Sequence, residues 1–257
     1  MNTLSFLDTY NVVWDSPSKD ALESMPCGGG DIGLNVWGED GDVLFYMQRS
    51  GCLAEQNEYL KLGRVRLTLD PNPFAGATDF RQELKLRQGH VELQAGGTVV
   101  TIWVEIDRPI IHVEVNSDAE ISVTAAYENW RLDEETLPPD DRRHSCISLH
   151  HYPGTVTLSK DMVDHDDDGV LFYHRNPDNG ILPDLAIEQQ GLEEYAKDIV
   201  DDLKDRTFGG IMVGDGFEPA GTTDGIYQTK AYRAWLMKSD KPSTHHHVRI
   251  VTHIDQS

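Results

Sequence analysis

Period-two alternation through residues 63–127 restricts the fold of this chain more than any other feature. Val65, Leu67 and Leu69 fall on one side of an extended backbone, and Arg64, Arg66 and Thr68 on the other. Leu84 and Leu86 alternate with Glu83, Lys85 and Arg87, and Val100, Ile102 and Val104 with Thr101, Trp103 and Glu105. The same spacing returns in Ile111, Val113 and Val115, then in Ile121, Val123, Ala125 and Tyr127. Successive side chains of a strand point to opposite faces, so this pattern in short-linked segments means antiparallel sheet with one face buried. Two stacked layers bury such faces most economically. The expected fold is therefore mainly β, a two-layer antiparallel β-sandwich, and 257 residues suit one domain over 1–257.

Around this block the pattern is more varied. Asp40-Gly41 between two runs of strand formers predicts a hairpin over 32–48. Ser16-Pro17 predicts a short helix near 17–24, since Ser caps helices and Pro suits their first turn. Residues 51–62 and 131–145 suggest loops, the second long and exposed. Strands are expected at 146–151, 155–159 and 170–175, with an acidic loop at 161–168. Leu192, Tyr195, Ile199 and Leu203 recur at helical spacing and predict one amphipathic helix near 188–205.

Three glycines, Gly28 to Gly30, introduce the hairpin, with no Lys-Ser/Thr after them and no helix to face a phosphate. Taken from Met25 to Gln48 together with Tyr10 to Ser18, this stretch resembles the opening of a bacterial domain family of unknown function, the DUF5703 type. That family is similar to the N-terminal β-sandwich, of supersandwich type, in glycoside hydrolase family 95 enzymes. In those a Trp, a small helix and a Pro-x-Gly-Asn-Gly-like turn precede the first long hairpin; here Gly29 stands where the Asn is usual. Lys61 to Arg66, Phe80 to Leu84 and Phe172 to Asn176 extend the likeness through most of the chain. The catalytic carboxylates of such enzymes lie in a helical barrel after the sandwich. No run of paired helices follows residue 205, so the resemblance transfers no catalytic residue. It implies the N-terminal part of a longer glycoside hydrolase-like protein, with carbohydrate and a C-terminal catalytic domain of the same chain as partners.

Charge narrows the partners further. Forty-four acidic residues against 22 basic ones leave −22, which opposes nucleic acid and anionic membrane surfaces. No apolar run is long enough to cross a bilayer as a helix, and the first residues do not resemble a signal peptide. Cys27, Cys52 and Cys146 match no zinc spacing and are expected as free thiols.

Two clusters suit sugar binding, which uses aromatic faces flanked by planar hydrogen-bonding groups. They are Trp130-Arg131 and Tyr173-His174-Arg175-Asn176, candidate contacts to carbohydrate or to a neighbouring domain, with Trp103 a further aromatic platform. The strand carrying the second cluster has no purely polar side, so cover on both faces and a buried acid for Arg175 are expected. Asp164, Asp166 and Asp168 reproduce the first half of a calcium loop, but Arg175 occupies the place of the bidentate Glu, so no tightly bound calcium or other cofactor is expected. His245 and His247 share a strand face and need a third ligand from His150, His151 or His174 to hold a metal. Three functions follow: an accessory sandwich of a carbohydrate-active protein, a free-standing carbohydrate-binding protein, or a small hydrolase or isomerase using His174 and a nearby acid.

Overall fold

The structure, a computed structural model, describes residues 5–167, 169–178 and 180–256. One sheet runs in spatial order through β1 (Val12–Trp14), β6 (Arg81–Lys85), β7 (His90–Ala95), β8 (Thr98–Val104), the first half of β9 (Ile110–Asn129), β17 (Ser243–Gln256), β14 (Arg206–Gly214), β13 (Gly169–Arg175) and β12 (Met162–Asp166). The other runs through β2 (Met25–Gly29), β3 (Ile32–Glu39), β4 (Asp42–Arg49), β5 (Gly63–Asp70), the second half of β9, β16 (Lys230–Ser239) and β15 (Phe217–Tyr227). Neighbouring strands are antiparallel, and the two sheets stack as a sandwich. Their inner faces supply one core containing Val65, Leu67, Leu69, Val100, Ile102, Val113, Val123 and Phe172.

Strand β9 joins the layers. Its residues 111–117 pair with β8 and its residues 122–128 with β5, so a single 20-residue strand passes from one sheet to the other. Its apolar residues alternate in each half: Ile111, Val113 and Val115, then Ile121, Val123 and Ala125, are all buried. The 32–48 hairpin forms as β3 and β4, with Asp40 and Gly41 both at positive φ, 52° and 88°. Positive φ at both central residues matches the twist of the flanking strands, which is why Asp-Gly suits this turn.

A small lobe lies at the end of the sandwich. It holds the ribbon of β10 (Glu135–Thr136) and β11 (Thr157–Leu158), with α1 (Pro139–Ser145) and α2 (Leu182–Gln190). Leu149, Val156 and Leu182 form its separate core. Within it Arg142 is buried and donates to the backbone carbonyls of Leu137 (3.3 Å) and Tyr152 (2.7 Å).

Several local expectations are corrected. The expected helix near 188–205 is α2, which starts earlier at Leu182 and stops where Gly191 takes a left-handed conformation (φ 66°, ψ 38°) and closes the last turn. Beyond it only a 3-10 turn, Glu193–Asp198, continues the apolar spacing. Near 17–24 there is a 3-10 turn alone, Ala21–Glu23, capped by Asp20 rather than by Ser16. Ser18 is instead tied to the sheet through its N–H to the Gly38 carbonyl at 2.8 Å, which keeps the segment extended. The 131–145 segment contains β10 and α1 rather than loop alone. In place of a strand at 146–151 there is a 3-10 turn, Ile147–Leu149. Much of the expected acidic loop at 161–168 is strand, because β12 pairs with β13 from Met162–Tyr173 to Asp166–Gly169.

The hairpin turn can be tested directly. A Cβ at Gly41 would lie 3.1 Å from Asn72 Nδ2 and 3.3 Å from Ala75, at a φ that side-chain-bearing residues rarely adopt. Gly41→Ala is expected to lower stability by about 1–2 kcal/mol in urea unfolding. An unchanged midpoint would show that the turn relaxes without cost.

Candidate functional site

A groove crosses the outer face of the second sheet beside Trp130, the residue that follows β9. Its setting follows from the strand period. Asn129 and Arg131 point inward and Trp130 outward, and both inward residues end on one carboxylate, Asp161. Asn129 Nδ2 donates to Asp161 Oδ2 at 2.6 Å, and Arg131 donates through Nε (3.0 Å) and Nη2 (2.5 Å). The Arg131 N–H also donates to Asn129 Oδ1 at 2.7 Å, closing the turn that presents the indole.

Tyrosines wall the groove. Tyr46 meets Trp130 edge-on, with ring centres 5.9 Å apart. Tyr227 and Tyr232, from the β15–β16 hairpin, lie over the Arg64 guanidinium at 3.8 and 5.1 Å. Gly225 is paired with Tyr232, and a Cβ there would sit 2.5 Å from the Tyr232 hydroxyl, so the glycine leaves room for the ring. Tyr227 donates to Glu39 at 2.9 Å; burial first, then the Glu39 charge, push its phenol up and keep it protonated. On one side of Trp130 is a hollow of about 140 Å³ lined by Tyr46, Arg64, Tyr227, Lys230 and Tyr232. On the other is one of about 320 Å³ lined by Glu58, Tyr59, Lys61, Arg131, Glu135 and Lys230.

Beneath this surface lie charges that the alternation pattern assigned to the polar side of β5. Arg64 is only 2% exposed. Arg64 and Arg66 donate to the two oxygens of buried Glu128, Arg66 at 2.7 Å, and Arg66 also reaches Asp42 at 2.8 Å. Tyr227 covers this layer, which is why a cationic side chain on the outer face is buried. A buried guanidinium needs such partners.

A second buried charge cluster backs Arg131. His174 is 1% exposed, with Nδ1 2.9 Å from Asp161 and Nε2 3.3 Å from Glu55. Glu55 also accepts from the Ser159 N–H and hydroxyl, both at 2.7 Å. With a carboxylate at each nitrogen, the imidazole donates from both and carries the positive charge. Burial opposes that charge, but the hydrogen bonds to Asp161 and Glu55 outweigh it and raise the His174 pKa above its ordinary 6.5. Burial likewise opposes ionisation of Glu55 and Asp161, and the hydrogen bond to His174 with its neighbours overcomes it, lowering both.

The six candidate contact residues are thus divided. Trp130 lines the groove, and Arg131 stands behind it. His174 joins Arg131 through Asp161, and Asn176 is buried, donating to the Leu53 and Leu203 carbonyls. Tyr173 and Arg175 point to the opposite face of β13. That face is open, with Leu171 exposed, and Arg175, its side chain 49% exposed, pairs there with Asp205 at 2.9 Å. The expectation of cover on both sides, and of a buried acid for Arg175, is therefore corrected: only Val170, Phe172 and His174 face the core. Glu55, Asp161 and Glu128 were missed, because nothing in local spacing distinguishes three acids among 44.

The remaining candidates are separated. Asp164 and Asp166 share one exposed face of β12, and their carboxylates accept from the next residues' N–H groups; Asp168 lies outside the described residues. His245 bonds Asn116, and His246 is buried against the Ile121 carbonyl. His247 Nε2 lies 2.9 Å from His112 Nδ1, and Trp103 stacks on His112. The rings of His150 and His151 lie 4.1 Å apart, tilted by 37°. Cys27, Cys52 and Cys146 are free thiols, and burial raises the Cys27 and Cys52 pKa values to about 11 and about 12.

A family model described as "Domain of unknown function (DUF5703)" matches residues 13–257. None of the curated proteins matches the sequence. Among solved structures, "Putative kojibiose phosphorylase from human microbiome" is similar over 95% of this chain and 32% of its own, with 8% identity and a TM-score of 0.38. This chain thus spans about a third of the length of that protein, and a likeness so distant carries no argument about activity.

Two expectations follow. Because Arg175 is half exposed, Arg175→Ala should change stability by no more than about 0.5 kcal/mol in a thermal melt. A loss of several kcal/mol would place that guanidinium in the core after all. The His174 cluster sets a pH window. Its His contribution is complete below 6.5 and fades as pH rises through the raised value; its carboxylate contributions are complete above 4.5 and fade as pH falls through the lowered ones. The melting temperature should therefore be highest between about pH 4.5 and 6.5, with the alkaline decline weakened in His174→Gln. Identical alkaline declines in both proteins would contradict the charge assigned to His174.

Proposed function

We propose, on the premise that this chain belongs to the DUF5703 domain family, that it is a carbohydrate-contacting accessory β-sandwich of a larger carbohydrate-active protein. The observation that carries this reading is the Trp130 groove. An indole is held outward by two anchors on Asp161 and ringed by Tyr46, Tyr59, Tyr227 and Tyr232, with arginine and lysine donors between the rings. Flat aromatic faces cover the apolar side of a pyranose, while the donors take its hydroxyl oxygens. The groove lies on a rigid sheet, so little ordering opposes binding.

The face of β13 and β14 supports the further-domain part of the proposal. Leu171, Tyr173, Ile211, Val251 and His253 line a shallow, nearly apolar depression there, with Leu171 and Val251 over a third exposed. An open apolar sheet face of this kind suits contact with another domain. The third function, a hydrolase using His174, has little support, since that imidazole is buried and both nitrogens are occupied.

Calorimetric titration against a panel of neutral and acidic oligosaccharides tests the carbohydrate reading. Trp130→Ala should weaken binding at least tenfold, about 1.4 kcal/mol, in protein that remains folded. No heat with any glycan from folded protein would sink the reading.

A further inference from the structure

We infer that the Trp130 groove takes an internal stretch of a polysaccharide, with one ring on the indole and at least one more in each flanking hollow, rather than a single sugar or a chain end; the inference rests on the carbohydrate reading above. Its ground is the relation of the two hollows. Both are lined by Trp130 and by Lys230, so they adjoin along that pair of residues. The first is built by β4, β5 and the β15–β16 hairpin, through Tyr46, Arg64 and Tyr227. The second is built by residues 58–61 and, through Glu135 and Leu158, by the β10–β11 ribbon of the small lobe. The groove thus continues from the sheet to the lobe with the indole at its middle. Neither hollow is enclosed, so neither forms a blind pocket that would stop a chain end.

Charge leaves length as the source of affinity. Arg64 and Arg131 are buried and already paired with Glu128 and Asp161. Nearer the surface, Lys61 and Lys230 are matched by Glu58 and Glu135, and Lys230 meets Glu135 directly at 2.8 Å. These charges cancel, so no surplus charge is left to hold one sugar by an ion pair. Sugar hydroxyls both donate and accept, and they suit a lining of lysines and glutamates that is balanced in sign. The Lys230–Glu135 pair has both side chains about half exposed, and such a pair costs little to displace as a chain crosses it.

Volume points the same way. Sites that enclose a drug-sized ligand hold roughly 300–1,000 Å³. The first hollow, about 140 Å³, is smaller than these, and the second, about 320 Å³, only reaches their lower bound. A sugar confined to either would bury little surface. A chain lying across both gains an aromatic contact at each step: Tyr232 in the first hollow, Trp130 at the divide and Tyr59, 64% exposed, in the second.

The test titrates the protein with cello-, xylo-, manno-, malto- and laminari-oligosaccharides of one to six units. In at least one series the affinity should rise about tenfold or more from disaccharide to tetrasaccharide, beyond the few-fold that extra binding registers give by statistics, and then level off. A tetrasaccharide of that series methylated at both ends should bind within about threefold of the free one, as an internal stretch requires. Tyr59→Ala and Tyr232→Ala, each checked to be folded, should both weaken the tetrasaccharide about fivefold or more. Both should leave the disaccharide nearly unchanged, because it can still use the indole and the intact hollow. Trp130→Ala should weaken every length. Monosaccharides or disaccharides that bind as tightly as tetrasaccharides, loss of binding on end-methylation, or a tetrasaccharide indifferent to one of the two tyrosine variants would overturn the inference and leave the carbohydrate reading standing. Failure of folded wild-type protein to bind any series would overturn both.

Discussion

The Asp161 carboxylate is the contact on which the groove end of this molecule depends. It accepts from Asn129, from two nitrogens of Arg131 and from His174, so donors from two separate stretches of chain converge on two oxygens. Desolvating a carboxylate is costly, and only several charged donors together recover that cost. Each donor does a second task. Asn129 and Arg131 set the direction of Trp130, and His174 carries the network on to Glu55 and the 51–62 segment. The outward indole is thus the visible end of a buried polar system.

The layered architecture was legible because it rests on a local, repeated signal. The alternation of Val65, Leu67 and Leu69, or of Val100 and Ile102, needs no knowledge of partners, and the structure buries each of these side chains. The Asp40-Gly41 turn was legible for the same reason, since its chemistry lies in two adjacent residues. The helical spacing from Leu192 to Leu203 misled because periodicity says nothing about where a helix stops. Gly191 supplied that stop, just ahead of the apolar set.

The candidate site was legible only in fragments. Trp130 and Arg131 stood out as an aromatic-cation pair, and His174 and Asn176 as polar residues in an apolar strand. What binds Arg131 to His174 is Asp161, which is 30 residues from one and 13 from the other. The tyrosine walls come from β4 and from a hairpin some 180 residues later, so no window of sequence contains them. The same long reach explains Arg64. Its place in the alternation makes it a solvent-facing residue, and only Tyr227, laid across it from that distant hairpin, converts the position into an interior one.

Strand β9 has a mechanical consequence. Because its first half is laced between β8 and β17 and its second between β5 and β16, the two layers cannot slide past one another without tearing backbone pairing in both. A sandwich held by side-chain contact alone could shear; this one is riveted. Trp130 sits directly at the end of the rivet, so a load applied at the groove by a long, taut polymer would be shared by both sheets instead of peeling one away.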